Sequence, residues 1–257
     1  MNKTIKYLAI SAVITVSYPI MNTVSGNDDY TLTPANDKLR QYLSGKFEPK
    51  SDSLFVTIPA QYSGKAEAQY LRKEAMDGFT KMADEAKKDG VTLKIVSATR
   101  NFYGQKAIWE AKWNGTRADW KDVATKYPAA VDRAKAILRY SSMPGTSRHH
   151  WGTDIDINSV EPSYFATKKG KKEYDWLVKN ASRFGFCQPY TVKGTARPNG
   201  YEEEKWHWSY MPLSKGFLSS YPTTVTYPDI KGFDGDETAE PLKVIDNYVL
   251  GVSNDCK

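Results

Sequence analysis

Cysteine and histidine are both scarce in this chain: two of the first and three of the second in 257 residues. Neither cysteine lies near the N-terminal apolar segment, which argues against a lipid anchor on a cysteine there. No run of Lys and Arg is long enough to form a nucleic-acid-binding stripe, so no nucleic-acid partner is expected. No apolar run reaches the roughly 20 residues that span a bilayer. The longest, Tyr7 to Ile20, is short and interrupted by Ser and Thr. There is no internal repeat and no low-complexity segment.

What is present is an ordinary globular composition, 40% hydrophobic and 26% charged. The length suits one domain with a good core and some additional elements. Seventeen Tyr and seven Trp suit either exposed stacking surfaces or an aromatic core, and composition does not separate the two. Residues 1–26 read as a secretory signal. Lys3 and Lys6 open it, an apolar stretch follows, and Val24-Ser25-Gly26 precedes the polar Asn27-Asp28-Asp29. Losing the two lysines takes the formal charge from +6 to +4, a mild positive balance that favours anionic surroundings such as a cell-wall polymer. The expectation is an exported protein, periplasmic or extracellular, with no stable membrane span after cleavage. In such a compartment Cys187 and Cys256 are expected to pair. Closing a loop that long stabilises by roughly 4 kcal/mol in chain-entropy terms.

Residues 27–65 are polar and broken by Pro34, Pro49 and Pro59, and read as an arm with a short strand near 53–58. A helix is predicted over 66–88, with Leu71, Ala75, Phe79, Met82 and Ala86 on one face. Strands are predicted over 91–96, 153–157 and 206–210, and further helices over 104–112, 129–140 and 171–183. Residues 194–203 read as a polar loop. From Pro212 onward Pro222, Pro228 and several glycines suggest an appended extension, with one last helix over 241–252. Helices and strands mix without regular alternation. The fold class expected is α+β, a small, largely antiparallel central sheet flanked by helices. The chain then divides into a signal peptide (1–26), an N-terminal arm (27–65), one main domain (66–212) and a C-terminal extension with a helical tail (213–257).

Chemistry concentrates in three places. The stretch Ser147-Arg148-His149-His150-Trp151-Gly152-Thr153-Asp154-Ile155-Asp156 holds two of the three histidines. Gly152 lets the backbone turn sharply, so a loop His149 and a strand Asp156 can face one point; imidazole and carboxylate both ligate zinc. The pair alone is weak evidence, since a lone histidine is more often a surface or hydrogen-bonded residue than a ligand. In Glu204-Lys205-Trp206-His207, a carboxylate three residues from a ligand can reach metal-activated water without binding the metal. Glu204 also has the alternative of a solvated charge beside Glu202 and Glu203. Arg100 follows a predicted strand, where it could hold an oxyanion or carboxylate or simply form a surface salt bridge.

Together the three resemble the D-alanyl-D-alanine carboxypeptidases and dipeptidases of the vancomycin-resistance type, whose superfamily also holds lysostaphin-type endopeptidases and the hedgehog signalling domain. The family pattern Ser-x-His-x-x-Gly-x-Ala-x-Asp is met by Ser147, His149, Gly152 and Asp156, its later Glu-x-x-His by Glu204 and His207, and its upstream arginine and glutamine by Arg100 and Gln105. The resemblance covers residues 66–210. It implies a single zinc ion held by His149, Asp156 and His207, with Glu204 as the base and Arg100 stabilising the oxyanion. Three protein ligands leave a position open, the pattern of a catalytic zinc. It further implies Ser147 and Gln105 as substrate contacts, with Ser147 a candidate for the terminal carboxylate. Trp206 and Tyr103 are candidate cleft walls, packing against the sheet being the other reading. Where the pattern has Ala this chain has Asp154, on the same strand side as Asp156. Asp154 is therefore a candidate for orienting a ligand histidine, with direct ligation as the alternative. His150 reads as structural or at the cleft rim, and Arg148 as a weak substrate contact.

The function implied is a zinc D,D-carboxypeptidase acting on peptidoglycan stem peptides, with the protein a monomer. The alternatives are an endopeptidase or L,D-specific peptidase of the same superfamily, or a non-catalytic zinc module that binds wall peptides.

Overall fold

The computed structural model describes residues 34–257; the signal segment and the first residues of the arm lie outside them. The chain opens with helix α1 (Pro34–Ser44), followed by strand β1 (Phe55–Thr57), strand β2 (Tyr70–Arg72) and helix α2 (Lys73–Lys88). Strand β3 (Ile95–Ser97), helices α3 (Phe102–Trp113), α4 (Val123–Lys126) and α5 (Ala130–Ile137), and strand β4 (Asp154–Ile157) come next. Helix α6 (Lys168–Asn180), strands β5 (Phe186–Cys187) and β6 (His207–Tyr210) and helix α7 (Met211–Thr224) complete the regular elements. The fold is α+β. Four strands form an antiparallel sheet in the order β3-β4-β6-β5, and β1 and β2 form a separate antiparallel pair.

The sheet has two unlike faces because strand side chains alternate. Ile155 and Ile157 of β4 and Trp208 of β6 turn to one side, where they are buried with Phe79 and Met82 of α2 and Trp176 and Leu177 of α6. Each such large apolar side chain contributes about 1.5–3 kcal/mol when fully buried. Asp154 and Asp156 of β4 and His207 and Ser209 of β6 turn to the other side. Burying four polar groups on one face is costly unless each finds a partner. That face carries the site.

Helix α2 begins at Lys73, later than the predicted start near residue 66. The preceding Tyr70–Arg72 pairs with β1 instead, so ladder hydrogen bonds outcompete the helical extension of an otherwise periodic segment. Val91, Leu93 and Ile95 are buried in alternation as expected, but ladder pairing covers only 95–97. The segment after Pro212 is not a string of breakers. Helix α7 runs through Pro222, and Leu218, Tyr221, Val225 and Ile230 are buried in one cluster with Trp109 and Trp151. Within 241–252 the observed element is a single π-helical stretch, Ile245–Val249. Cys187 and Cys256 are disulfide-bonded, with Cα atoms 5.7 Å apart. Among the described residues no helix is long and apolar enough to cross a membrane.

Candidate active site

The register of the sheet builds the site. Asp156 stands directly opposite His207 in the β4–β6 ladder, and Asp154 opposite Ser209. Residues facing each other across an antiparallel pair have Cβ atoms about 4.5–5.5 Å apart, so two distant parts of the sequence meet without any long reach. His149 arrives from the other direction, on the 3-10 turn Arg148–Trp151. Gly152 closes that turn with φ 71°, and a Cβ there would lie 2.3 Å from the Phe55 ring. Only glycine satisfies both the left-handed backbone and the close approach.

The side chains of His149, Asp156 and His207 converge, with one ligand atom from each within 4.8 Å of the others, and all three are buried. His149 Nε2 lies 3.4 Å from Asp156 Oδ2, and His207 Nδ1 lies 3.4 Å from Asp156 Oδ1. The outer nitrogen of each ring is occupied: His149 Nδ1 donates to Ala98 O at 2.9 Å, and His207 Nε2 lies 2.9 Å from Asp154 Oδ1. Such outer contacts fix the ring and leave the other nitrogen free for a metal. Asp156 Oδ1, although buried, has no hydrogen-bond partner among the described residues. A divalent cation fits this donor set.

Asp154 is fully buried and saturated. Its Oδ1 accepts from Arg148 Nε at 2.9 Å, and its Oδ2 accepts from Thr153 Oγ1 at 2.6 Å and Ser209 Oγ at 3.0 Å. Burial would raise its pKa, but the Arg148 guanidinium and His207 hold it well below the usual carboxylate range. Direct ligation by Asp154 would break this set. Arg148, read from the sequence as a weak substrate contact, donates from Nε to Asp154 and from Nη2 to Ser209, while its Nη1, buried at the cleft, has no partner among the described residues. His150 is a structural residue: Nδ1 donates to Arg100 O at 2.6 Å and Nε2 accepts from Gly145 N at 3.0 Å. Burial, ahead of a backbone hydrogen bond that works the other way, pushes its pKa down to about 3 and keeps it neutral.

Glu204 comes in from the loop before β6, its amide donating to Tyr190 O at 2.9 Å. Its Oε2 lies 3.2 Å from His207 Nδ1. Burial raises its pKa above the ordinary glutamate value, against the pull of His207. For His207, burial opposes charge, yet Asp154 and Glu204 push its pKa up to about 9. The spot therefore favours positive charge. His149 is shifted the opposite way, by burial and then by the Arg100 guanidinium, which keeps it in the neutral form that binds metal.

Arg100 lies three residues beyond β3, its backbone amide donating to His149 O at 3.1 Å and its Nη1 to Ser97 Oγ at 3.3 Å. It lines one cleft of about 480 Å³ together with Gln105, Ser147, Glu204, Trp206 and the three converging residues. Tyr103 is not in it. That side chain is 72% exposed beside Phe102, because Tyr103 and Gln105 are two residues apart on α3 and so about 200° apart around it. Several cleft residues have no counterpart in the sequence reading, Tyr190 and Lys112 among them. Tyr190 packs edge-on against His207 at 4.9 Å, and nothing in its local pattern marks it. Lys112 lines the cleft two turns beyond Gln105, a spacing that was there to be seen.

Residues 68–213 match the VanY family, described as D-alanyl-D-alanine carboxypeptidase. The chain belongs to this family. Relatives include a Bacillus subtilis protein named as a carboxypeptidase, YodJ, 32% identical over 67% of this chain and 58% of its own length. A D-alanyl-D-alanine carboxypeptidase of Enterococcus faecalis is 33% identical over 61% of this chain and 55% of its own. The chain thus spans somewhat more than half the length of these two curated relatives. Among solved structures, the LdcB LD-carboxypeptidase is 26% identical, with a TM-score of 0.49, over 73% of this chain and 81% of its own. A mutant of the vancomycin-resistance D,D-pentapeptidase VanY in complex with Zn(II) is 26% identical, with a TM-score of 0.46, over 71% of this chain and 93% of its own.

Proposed function

We propose that this protein is a zinc-dependent D,D-carboxypeptidase that releases the terminal D-alanine of peptidoglycan stem peptides outside the cytoplasm. The observation that carries the reading is one cleft in which the buried Glu204 and the half-buried Arg100 stand beside the converging His149, Asp156 and His207. Membership of the VanY family supports the substrate class. A module that only bound wall peptides would need neither the buried base nor the half-buried guanidinium.

His149, Asp156 and His207 would hold the zinc ion. When bound, zinc supplies Lewis acidity toward a carbonyl and makes water a stronger acid. Glu204 takes the proton of the attacking water and delivers it to the leaving amine nitrogen, and burial raises its pKa in the direction that helps it hold that proton between the two transfers. Arg100 donates to the oxygen on which negative charge develops. Ser147 and Gln105 position the peptide, Trp206 walls the cleft, and Asp154 holds the His207 ring in place through Nε2.

Incubating the purified protein with muropeptides and weighing the products tests the proposal. Loss of one alanine from pentapeptide stems is expected. A severed cross-link would make the protein an endopeptidase, release of alanine from tetrapeptides only would make it an L,D-enzyme, and no product would leave a binding module.

A further inference from the structure

We infer that Lys112 supplies the cation for the free carboxylate at the substrate's C-terminus, beside the neutral hydroxyl of Ser147 in the same cleft, and so sets the preference for chain ends over internal bonds. The inference rests on the proposed peptidase reading and deepens it.

The starting observation is a buried cation without an anion. Lys112 is 6% exposed and lines the cleft. Buried lysines are rare unless paired. Yet no carboxylate of the described residues lies within salt-bridge distance of its ammonium. The nearby acids are engaged elsewhere: Asp119 with Arg117 at 2.7 Å, and Glu204 with His207 at 3.2 Å. What Lys112 does have is the neutral hydroxyl of Ser141 and the face of Trp120, with Nζ 5.4 Å from the ring centroid. An ammonium has three donors. One is used on Ser141, and the cation remains unneutralised. Burial, seconded by the Arg117 charge, pushes its pKa down to about 8, a measure of how poorly the folded chain alone supports it.

The same wall holds a second unfinished group. Gln105 is 1% exposed, and its Nε2 donates to Ser142 O at 2.8 Å, but its Oε1 has no partner. Gln105, Ile108 and Lys112 repeat at helical spacing along one face of α3, and all three line the cleft. That face carries Gln105 in the first turn of α3 and Lys112 two turns, about 10 Å, farther along. It offers an acceptor for an amide hydrogen and, farther along, a cation for a carboxylate. A C-terminal amino-acid residue carries both complementary groups, whereas an internal peptide segment carries only the amide. A cation kept waiting in a partly dry cleft is expensive for folding and useful for binding, since a desolvated charge pair is stronger than an exposed one.

The test compares an N-acyl-D-Ala-D-Ala peptide with its C-terminal carboxamide, using the metal-loaded full chain and the variants Lys112→Met and Lys112→Arg. The wild type is expected to favour the free acid, and Lys112→Met to lower the acid-to-amide ratio of kcat/KM by about 10–100-fold, mostly through KM. Lys112→Arg should restore most of the ratio. Because methionine relieves the buried charge, the melting temperature of Lys112→Met should hold or rise. An unchanged ratio in Lys112→Met, or a loss equal on both peptides together with a lower melting temperature, overturns the inference. Calorimetric binding of N-acetyl-D-alanine against N-acetyl-D-alaninamide decides the same question without turnover. If the wild type cleaves neither peptide, the carboxypeptidase reading fails; Lys112 still stands or falls on whether Lys112→Met loses the preference for the acid ligand.

Discussion

At the scale of single residues, Asp154 explains how the buried polar face is held. It stands where the family pattern has a small apolar residue, and it answers four donors at once: Arg148, Thr153, His207 and Ser209. Asp154→Ala leaves the fully buried Arg148 guanidinium without an anion, and a broken buried pair costs about 3–5 kcal/mol. A urea or thermal melt should show a loss of that size. The pH dependence follows from the direction of the shift. Because the folded-state pKa of Asp154 lies below its ordinary value of 3.8, its contribution is present above that value and is lost as pH falls through the folded pKa. Glu204 has a different signature. Glu204→Ala should keep the metal, measured by elemental analysis, while kcat falls by about 100- to 10,000-fold. Undiminished turnover would remove the base assignment. His207→Ala should lose the metal itself, and full zinc occupancy in that variant would overturn the proposed ligand set.

At the scale of elements, the residues of the site could be read because their chemistry is local to short stretches. His149 and Asp156 are seven positions apart around Gly152, and Glu204 and His207 three apart before a strand. Strand register then did the joining. Lys112 escaped because a lysine on an amphipathic helix ordinarily reads as a solvated charge; only its spacing from Gln105 hinted otherwise. Helix α2 was placed too early because Leu71 fits a helical stripe and a strand equally well, and its partner strand β1 lies too far back for periodicity to reveal it. The segment carrying Glu204 has a further support. Gln188 Nε2 donates to Glu204 O at 3.1 Å, and Gln188 O accepts from Ser253 Oγ at 2.7 Å. Cys256, three residues on, is disulfide-bonded to Cys187, one residue before Gln188. Reducing that bond, which closes a separation of 69 residues, should cost roughly 4 kcal/mol in the chain-entropy model. Melting curves with and without reductant, and on Cys256→Ser, measure it; a Cys256→Ser melt that superimposes on the wild type counts against the clamp.

At the scale of the whole molecule, the described chain has two apolar clusters. One lies under the sheet and was legible from the periodicity of α2 and α6. The other is built from α3, α5, α7 and the last residues, and was not, because Pro222, Pro228 and the glycines mask the helical stripe that Leu218, Tyr221 and Val225 form. Since His149, His207 and Asp154 are held by protein hydrogen bonds, chelation should abolish activity while leaving far-ultraviolet dichroism essentially unchanged, and added zinc should restore it. A loss of helical signal on chelation would show instead that the metal organises the fold. The sulphur bridge at the C-terminus leaves a plain mark on fragments as well. Lys231 and Gly232 are exposed between the two cysteines, so a trypsin nick there should not shed the tail. The nicked protein should migrate as one band on a non-reducing gel and part into two once thiol is added.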